Sequence, residues 1–420
     1  MSTLIKNIST LVTCRDLNGI PKSGGSQTQI GLLKNSNIFI EGSKISFVGN
    51  AYELKSFLKI YKKKNFNEID GKNKTVMPGF VDSHTHFVFA GSRADEYEMR
   101  IAGSTYQDIA KAGGGIAATV NAVRKSSKSF LRNEGEKKLK NFIEHGTTTL
   151  EGKSGYGLDT DNEIKMLEVI NSLARKNKYD MNIVPTFLGA HSVPKDMPKE
   201  KFINKICYEM IPMIAQSKLA RFIDVFCEKG YYSPEEAEKI LTIGSKFGII
   251  PKMHADQFTS SGGIEVALKV KAISVDHLEA LSSSDIKRLQ YKSVIATLLP
   301  GASYFLDMQY PPAREIIEND IPVAIATDFN PGSCMTENMQ IIMSLASVKM
   351  KMTGEEILNA VTINAAYALY LQELVGSIEE GKQADILIFD FQNYRDLLYH
   401  FGVNQIEMVI KKGNIVVNNL

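Results

Sequence analysis

The chain has 420 residues, 44% of them apolar and 23% charged, with 49 basic and 47 acidic side chains and a formal charge of +2. That balance argues against a polyanion-binding protein, and the apolar share suits a globular chain with one large and one smaller domain. Four scattered cysteines, Cys14, Cys207, Cys227 and Cys334, form no C-x-x-C pair and no disulfide-like spacing, which fits a reducing compartment. Lys6 and Asn7 interrupt the first apolar stretch too early for a signal peptide, and no run approaches the ~20 apolar residues that span a bilayer. The expectation is a cytoplasmic protein with no nucleic-acid or membrane partner.

From the N-terminus, LIKNISTLVT and then NIFIEGSKISFVGN, with a Gly-containing turn at 42–44, read as strands with a hairpin. Strand candidates follow at 76–81 (VMPGFV), 147–151 (TTTLE), 183–188 (IVPTFL), 222–226 (FIDVF), 249–253 (IIPKM), 272–275 (AISV), 293–298 (SVIATL) and 322–327 (PVAIAT). Helical patterns lie between most of them, such as NEIKMLEVINSLARK at 162–176. SPEEAEKILTIGSKFG at 233–248 opens with a Ser233–Glu236 capping box. At the end, ADILIFD at 384–390 and IEMVIKKGNIVV at 406–417, with a turn at Lys412–Asn414, resemble the first segment. Near-continuous apolar strands alternating with helices mean a parallel sheet covered on both faces. The fold class is therefore α/β: a (β/α)8 TIM-like barrel over 73–375, with a small β-sandwich domain built from both termini, 1–72 and 376–420. A doubly wound open sheet is the alternative.

Five of the seven histidines stand just beyond strand candidates. His84 and His86, in DSHTH, follow the first; His191 follows the third, His254 the fifth and His277 the sixth. Asp328, in ATDFNPGS, follows the eighth. In a parallel barrel these strand ends open on one mouth. The i, i+2 spacing of His84 and His86 puts both imidazoles on one face, a two-ligand clamp for a metal. A lone histidine after a strand is usually an ordinary polar residue, and a lone H-x-H also occurs on surfaces. Six suitable residues at successive strand ends are hard to obtain by chance. His145 precedes its strand and His400 lies in the terminal β-region, so both read as structural.

Imidazole and carboxylate ligands without thiolate suit Zn²⁺ or Fe²⁺. Three histidines and one carboxylate leave a position for water, which a bound cation ionises near neutral pH. A nearby carboxylate or imidazole can carry the proton to a leaving nitrogen. That chemistry is hydrolysis of a C–N bond.

TVMPGFVDSHTH at 75–86, SVDHL at 274–278 and ATD at 326–328 resemble the amidohydrolase superfamily. Within it, HTHFVFAGSRADEYEMRIAGSTYQDIAKAGGGI at 84–116, HGTTTLEGKSGYGL at 145–158, TFLGAHSVP at 186–194, DVFCEKG at 224–230, HADQF at 254–258 and DFNPGS at 328–333 are similar to the imidazolonepropionase family. The likeness covers essentially the whole chain. It implies that His84, His86, His254 and Asp328 hold one divalent metal per subunit, Zn or Fe, and that His277 stands near the attacking water. It implies that Arg93, Tyr156 and His191 hold the substrate, with further contacts from Gln257, Asn330, Gly332 and Ser333. The implied reaction is metal-dependent hydrolysis of 4-imidazolone-5-propanoate to N-formimidoyl-L-glutamate in histidine degradation, by a homodimer. Gln257 stands where some relatives carry a carboxylate, and an amide cannot accept a catalytic proton. The base is then Asp328 or His277. The expectation is that Asp328 takes the proton while His277 orients the water, the reverse division being the alternative.

The residue types agree with that implication. A propanoate tail calls for a guanidinium, whose fork meets a carboxylate with two hydrogen bonds; an isolated Arg93 would more often be a surface ion pair. Tyr156, between Gly155 and Gly157, reads as part of an exposed, adaptable turn, and His191 as a donor that polarises the ring carbonyl. GKS at 152–154 imitates the end of a P-loop, but Thr147 occupies the position of its first glycine. Lys153 lies beyond the second strand, where a carbamylated, two-metal-bridging lysine is not expected. The Gly113–Gly115 run reads as a mobile loop, and the basic runs at 62–64 and 411–412 as solvated faces. Two other readings compete: a hydrolase or deaminase acting on another ring, for which Arg93 would be superfluous, and a metal-stabilised binding protein. No ligand or base position is missing, which disfavours the latter.

Overall fold

The computed structural model describes residues 2–15, 18–61, 65–104 and 114–419. The lysine run at 62–64, and Gly113 with the rest of the 105–113 part of the loop motif, lie outside the described residues. The N-terminal segment forms β1 (Ser2–Val12), β2 (Leu32–Glu41), β3 (Lys44–Asn50), β4 (Asn67–Asp70) and β5 (Thr75–Pro78). The middle forms β6 (Phe80–Asp82), β7 (Thr147–Lys153), β8 (Asn182–Ala190), β9 (Phe222–Cys227), β10 (Ile250–Pro251), β11 (Met253–Ala255), β12 (Ser274–His277), β13 (Ile295–Leu298) and β14 (Val323–Ile325). The C-terminal segment adds β15 (Ile386–Phe389), β16 (Ile406–Lys411) and β17 (Asn414–Asn418).

Both termini build one sheet, in the order β17-β16-β15-β5-β1-β2-β3, with β4 also beside β1. It is mixed: β1 is parallel to β4 and β5 and antiparallel to β2, while β5 meets β15 antiparallel. The two expected hairpins are present, but Lys411, expected on a solvated face, is buried with its Nζ 2.7 Å from Asp385 Oδ2. Glu41 faces Lys44 across Gly42, and Lys411 faces Asn414 across Lys412 and Gly413, both left-handed as a tight hairpin turn requires. Ile5, Ile8, Ile38, Ile386 and Ile410, contributed by both ends of the chain, share one buried cluster. Joining the termini lets each short apolar strand cover the other.

The second sheet runs β6-β7-β8-β9-β11-β12-β13-β14, every pairing parallel, with β10 also beside β9. A parallel bridge between Thr85 and Phe329 joins its two edges, as the amide of Asp328 donates to His84 O (3.1 Å) and that of His86 to Phe329 O (3.0 Å). The result is the expected (β/α)8 barrel. Seven strand candidates coincide with barrel strands to within a few residues, the fifth as β10 and β11 on either side of Lys252. The first candidate, 76–81, is divided: Thr75–Pro78 pairs in the terminal sheet, and only Phe80 onward enters the barrel. Gly79 is the crossing point, and a Cβ there would fall 2.3 Å from Thr148 Oγ1.

The helix Thr160–Arg175 covers the expected 162–176 pattern. In Pro234–Lys246, Ser233 Oγ accepts from the Glu236 amide (3.3 Å) and Glu236 Oε2 from the Ser233 amide (2.8 Å), completing the capping box. Among the described residues, no helix is long and apolar enough to cross a membrane.

Candidate active site

All six strand-end residues singled out in the sequence meet at the C-terminal mouth of the barrel. His84 and His86 follow β6, His254 lies in β11, His277 ends β12 and Asp328 follows β14, while His191 follows β8. Strand pleat alone would not point all of them inward. His277 has φ +86° and Leu278 φ +70°, and Asp328 has φ +55°. Left-handed backbone at residues other than glycine is costly and recurs where a site dictates side-chain direction.

The imidazoles form one cluster. The ring centroid of His84 lies 4.5 Å from that of His254, 5.3 Å from His86 and 5.7 Å from His277. Asp328 Oδ1 faces His84 Nε2 at 3.5 Å and His86 Nε2 at 3.7 Å. Ligand atoms of His84, His86 and Asp328 fall within 4.8 Å of one another, as do those of His84, His254 and His277. His84 Nε2, His86 Nδ1 and both ring nitrogens of His254 are buried without a hydrogen-bond partner. Native proteins rarely leave buried polar nitrogens unsatisfied, so clustered imidazoles with unpartnered nitrogens fit a metal cradle. Burial, with neighbouring cations, holds His84 and His86 well below the ordinary histidine range and keeps them neutral, the form in which imidazole binds a metal.

Three of these residues are held from behind, His84 and Asp328 by their side chains and His254 by its backbone. His84 Nδ1 shares a 2.7 Å hydrogen bond with Asp276 Oδ2, which directs Nε2 into the cluster. Asp224 accepts the backbone amide of His254 (3.1 Å), and its other oxygen lies 3.0 Å from His254 Nδ1, outside hydrogen-bond geometry. Ser333 Oγ donates to Asp328 Oδ2 (2.9 Å), leaving Oδ1 to face the histidines. Asn330 donates to Asp328 O (2.7 Å) and Ser333 Oγ (2.6 Å) and accepts the amides of Gly332 (2.7 Å) and Ser333 (2.9 Å). Its amide therefore works chiefly inside its own turn. His277 Nδ1 lies 3.4 Å from Glu279, and although burial opposes it, that carboxylate with Asp328 and Asp276 raises the basicity of the ring.

Above this cluster opens a cavity of 390 Å³ lined by Arg93, Tyr156, His191, Gln257, Gly332 and Ser333, among others. A recess of 50 Å³ leads from the same walls to His86, His254, His277 and Asp328. All seven expected substrate-holding residues thus line one space. A larger cavity of 690 Å³ lies beside the terminal sheet, lined by Thr13, Lys22 and Glu379, and touches none of the six strand-end residues. Arg93 begins the helix Ala94–Ile101, and its Nε donates to Glu96 (2.8 Å), whose other oxygen accepts the amide of Gly115 (2.9 Å). Gly332 makes room for it: a Cβ there would fall 2.3 Å from Arg93 Nη1.

His191 is anchored through its own ring. Its Nδ1 faces the carbonyl of Gly155 at 3.1 Å, so that nitrogen carries the proton. Burial lowers its pKa to about 3, so the ring is neutral and Nε2 is an acceptor. With Nδ1 held by the backbone, Nε2 is the ring atom left to face the cavity. Lys153 is no carbamate site, since its Nζ lies 2.7 Å from Asp224 Oδ2 and 2.9 Å from Glu151 Oε2. His145 caps the helix Lys128–Glu144, and His400 the helix Asp396–Tyr399, both away from the cluster.

Comparisons with known proteins agree with this geometry. The amidohydrolase family model matches residues 230–416. The imidazolonepropionase of Geobacillus sp. (strain WCH70) is 44% identical, covering 99% of this chain and 98% of its own. Those of Shouchella clausii and Clostridium tetani are 43% and 42% identical, over 98% and 99% of this chain and 92% and 98% of theirs. Among solved structures, atrazine chlorohydrolase from Arthrobacter aurescens, complexed with zinc, superposes with a TM-score of 0.69 at 16% identity, covering 99% of this chain and 95% of that one. An adenosine deaminase from Xanthomonas campestris, with bound zinc, gives 0.71 at 15%, covering 99% and 93%. At such identities these two likenesses concern the fold. Family and donor set together support a divalent metal at the histidine cluster. On near-full-length identity above 40%, the chain belongs to the imidazolonepropionase family of the amidohydrolases.

Proposed function

We propose that the chain hydrolyses 4-imidazolone-5-propanoate to N-formimidoyl-L-glutamate, a step of histidine degradation. The observation that carries this reading is Arg93, a guanidinium held in the wall of the same cavity that opens onto the His–Asp cluster. It supplies the fork that a propanoate tail needs, at a site whose other groups suit attack on a ring amide.

His84, His86, His254 and Asp328 would hold one divalent metal per subunit, and imidazole with carboxylate donors suits Zn²⁺ or Fe²⁺. When bound, such a cation polarises a carbonyl and makes water acidic enough to ionise near neutral pH. Asp328, fixed by Ser333, takes the proton of the attacking water, and His277 orients that water. The ring C–N bond breaks, the carbonyl carbon becomes the second carboxylate of the product, and the proton passes to the leaving nitrogen. Arg93 binds the propanoate, Tyr156 closes over it, and His191 accepts a ring N–H. Gln257 can hydrogen-bond the ring but take no proton. Asn330, with Gly332 and Ser333, shapes the wall around Asp328 and Arg93.

Metal-loaded protein should turn over freshly made imidazolone propanoate to a product identified as N-formimidoyl-glutamate, and a chelated sample should not. A rate no higher than the spontaneous one would discard the substrate. Gly332→Ala should raise KM roughly tenfold with the fold retained, because the new methyl group displaces Arg93. An unchanged KM would separate Arg93 from substrate binding. We further propose a homodimer, as the family resemblance implies, which light scattering would check. Four buried, unpaired thiols, Cys14, Cys207, Cys227 and Cys334, support a cytoplasmic location.

A further inference from the structure

The loop from β7 to the helix Thr160–Arg175 carries Tyr156, and its backbone is pinned from two sides. Glu163, on that helix and fully buried, receives the amides of Gly155 (3.0 Å), Gly157 (2.7 Å) and Leu158 (2.9 Å) on its two carboxylate oxygens. Positive φ at Gly155 (+108°) and Leu158 (+50°) turns these N–H groups to one side. From the opposite side, Arg124 donates through Nε to Gly157 O (2.8 Å) and through Nη2 to Leu158 O (3.0 Å). The carbonyl of Gly155 in turn faces His191 Nδ1 at 3.1 Å. Glycine is required at both flanks: a Cβ on Gly155 would fall 2.9 Å from His191 Nδ1, and one on Gly157 2.4 Å from the Glu163 amide.

A buried carboxylate is an expensive way to brace a loop, because its charge must leave water. Here it is compensated by three backbone dipoles converging on it, an arrangement that fixes peptide orientation as well as position. Between the pinned peptides of Gly155 and Gly157 stands Tyr156, buried and fixed where its flanking glycines suggested an exposed, adaptable turn, its ring 5.3 Å from His191 and 5.9 Å from His86. We propose that Glu163 and Arg124 are positioning residues, a clamp that holds Tyr156 and His191 in their substrate-binding orientation. The inference rests on the reading of Tyr156 as a substrate-holding residue.

A double-mutant cycle tests it. Glu163→Gln keeps the side-chain size but sets an amide nitrogen against backbone N–H groups. It should lower kcat/KM roughly ten- to a hundredfold in the wild-type background, and by a clearly smaller factor in a Tyr156→Phe background, where the hydroxyl of Tyr156 is already gone and only the hold on His191 is left to lose, with metal content unchanged. Arg124→Ala, at a partly exposed site where folding is safe, should show the same dependence on Tyr156 with a smaller factor. Equal factors in both backgrounds, or no loss from either variant, would overturn the clamp. If Glu163→Gln does not fold, Arg124→Ala decides by the same criterion. Failure of the proposed reaction is distinguishable: with ¹³C-labelled tyrosine, the Tyr156 resonance, assigned by its absence in Tyr156→Phe, should shift in the clamp variants without any substrate. An unmoved resonance would count against the clamp whatever the enzyme hydrolyses.

Discussion

Metal-loaded Asp328→Asn is expected to lose turnover by roughly 10²–10⁴-fold, the range for a positioned proton acceptor. The two carboxylate oxygens are not equivalent. Oδ2 is occupied by the Ser333 hydroxyl at 2.9 Å, and Oδ1 faces His84 and His86. Burial raises the Asp328 pKa above the ordinary carboxylate value, although His277, Ser333 and His254 oppose it. Asparagine keeps the volume and one acceptor oxygen, and it tolerates the left-handed backbone found at this position (φ +55°). The substitution therefore removes proton acceptance with little strain. Elemental analysis and kcat should be measured on the same sample. Full metal with activity within tenfold of wild type would move the base role to His277. Loss of metal along with activity would assign Asp328 to holding the cation.

Much of this site was legible in the sequence because barrel geometry makes strand ends converge, so histidines dispersed over nearly 200 positions could be read as one cluster. The strand candidates held for the same reason: β-branched, apolar segments bounded by turns leave few other places to go. What escaped was of two kinds. The division of 76–81 at Gly79 was hidden because β5 and β6 are both apolar and nearly contiguous, and only pairing partners distinguish them. The charged interior was missed although its signal was present. Glu151, Asp224 and Lys252 lie inside segments read as buried strands, and Asp276 directly follows one. A charge on a strand covered on both faces must be paired. Glu163 left a weaker trace, since its partners are backbone amides that no side-chain pattern announces.

That charged interior carries the largest expected effect on stability. Lys153→Met should cost about 3–5 kcal/mol, measured by urea unfolding of the metal-loaded protein. Lys153 Nζ lies 2.7 Å from Asp224 and 2.9 Å from Glu151, with Asp276 at 3.6 Å, and all four side chains are fully buried. Lys252 bonds the same Glu151 oxygen (3.0 Å) and Ser83 O (2.9 Å), so Glu151 keeps a partner in the variant while Asp224 loses its nearest cation. The penalty is that of an unpaired buried carboxylate rather than of a lost attraction. Adding Asp224→Asn should therefore recover part of the stability instead of lowering it further. A single-variant loss under about 1 kcal/mol, or strictly additive losses, would contradict that account. The same carboxylates also reach upward, Asp276 to His84 Nδ1 and Asp224 to the amide of His254. Lys153 thus holds in place the group that aims the His84 imidazole and the one that fixes the His254 backbone, and its removal should weaken metal binding by about 10–100-fold even in molecules that remain folded.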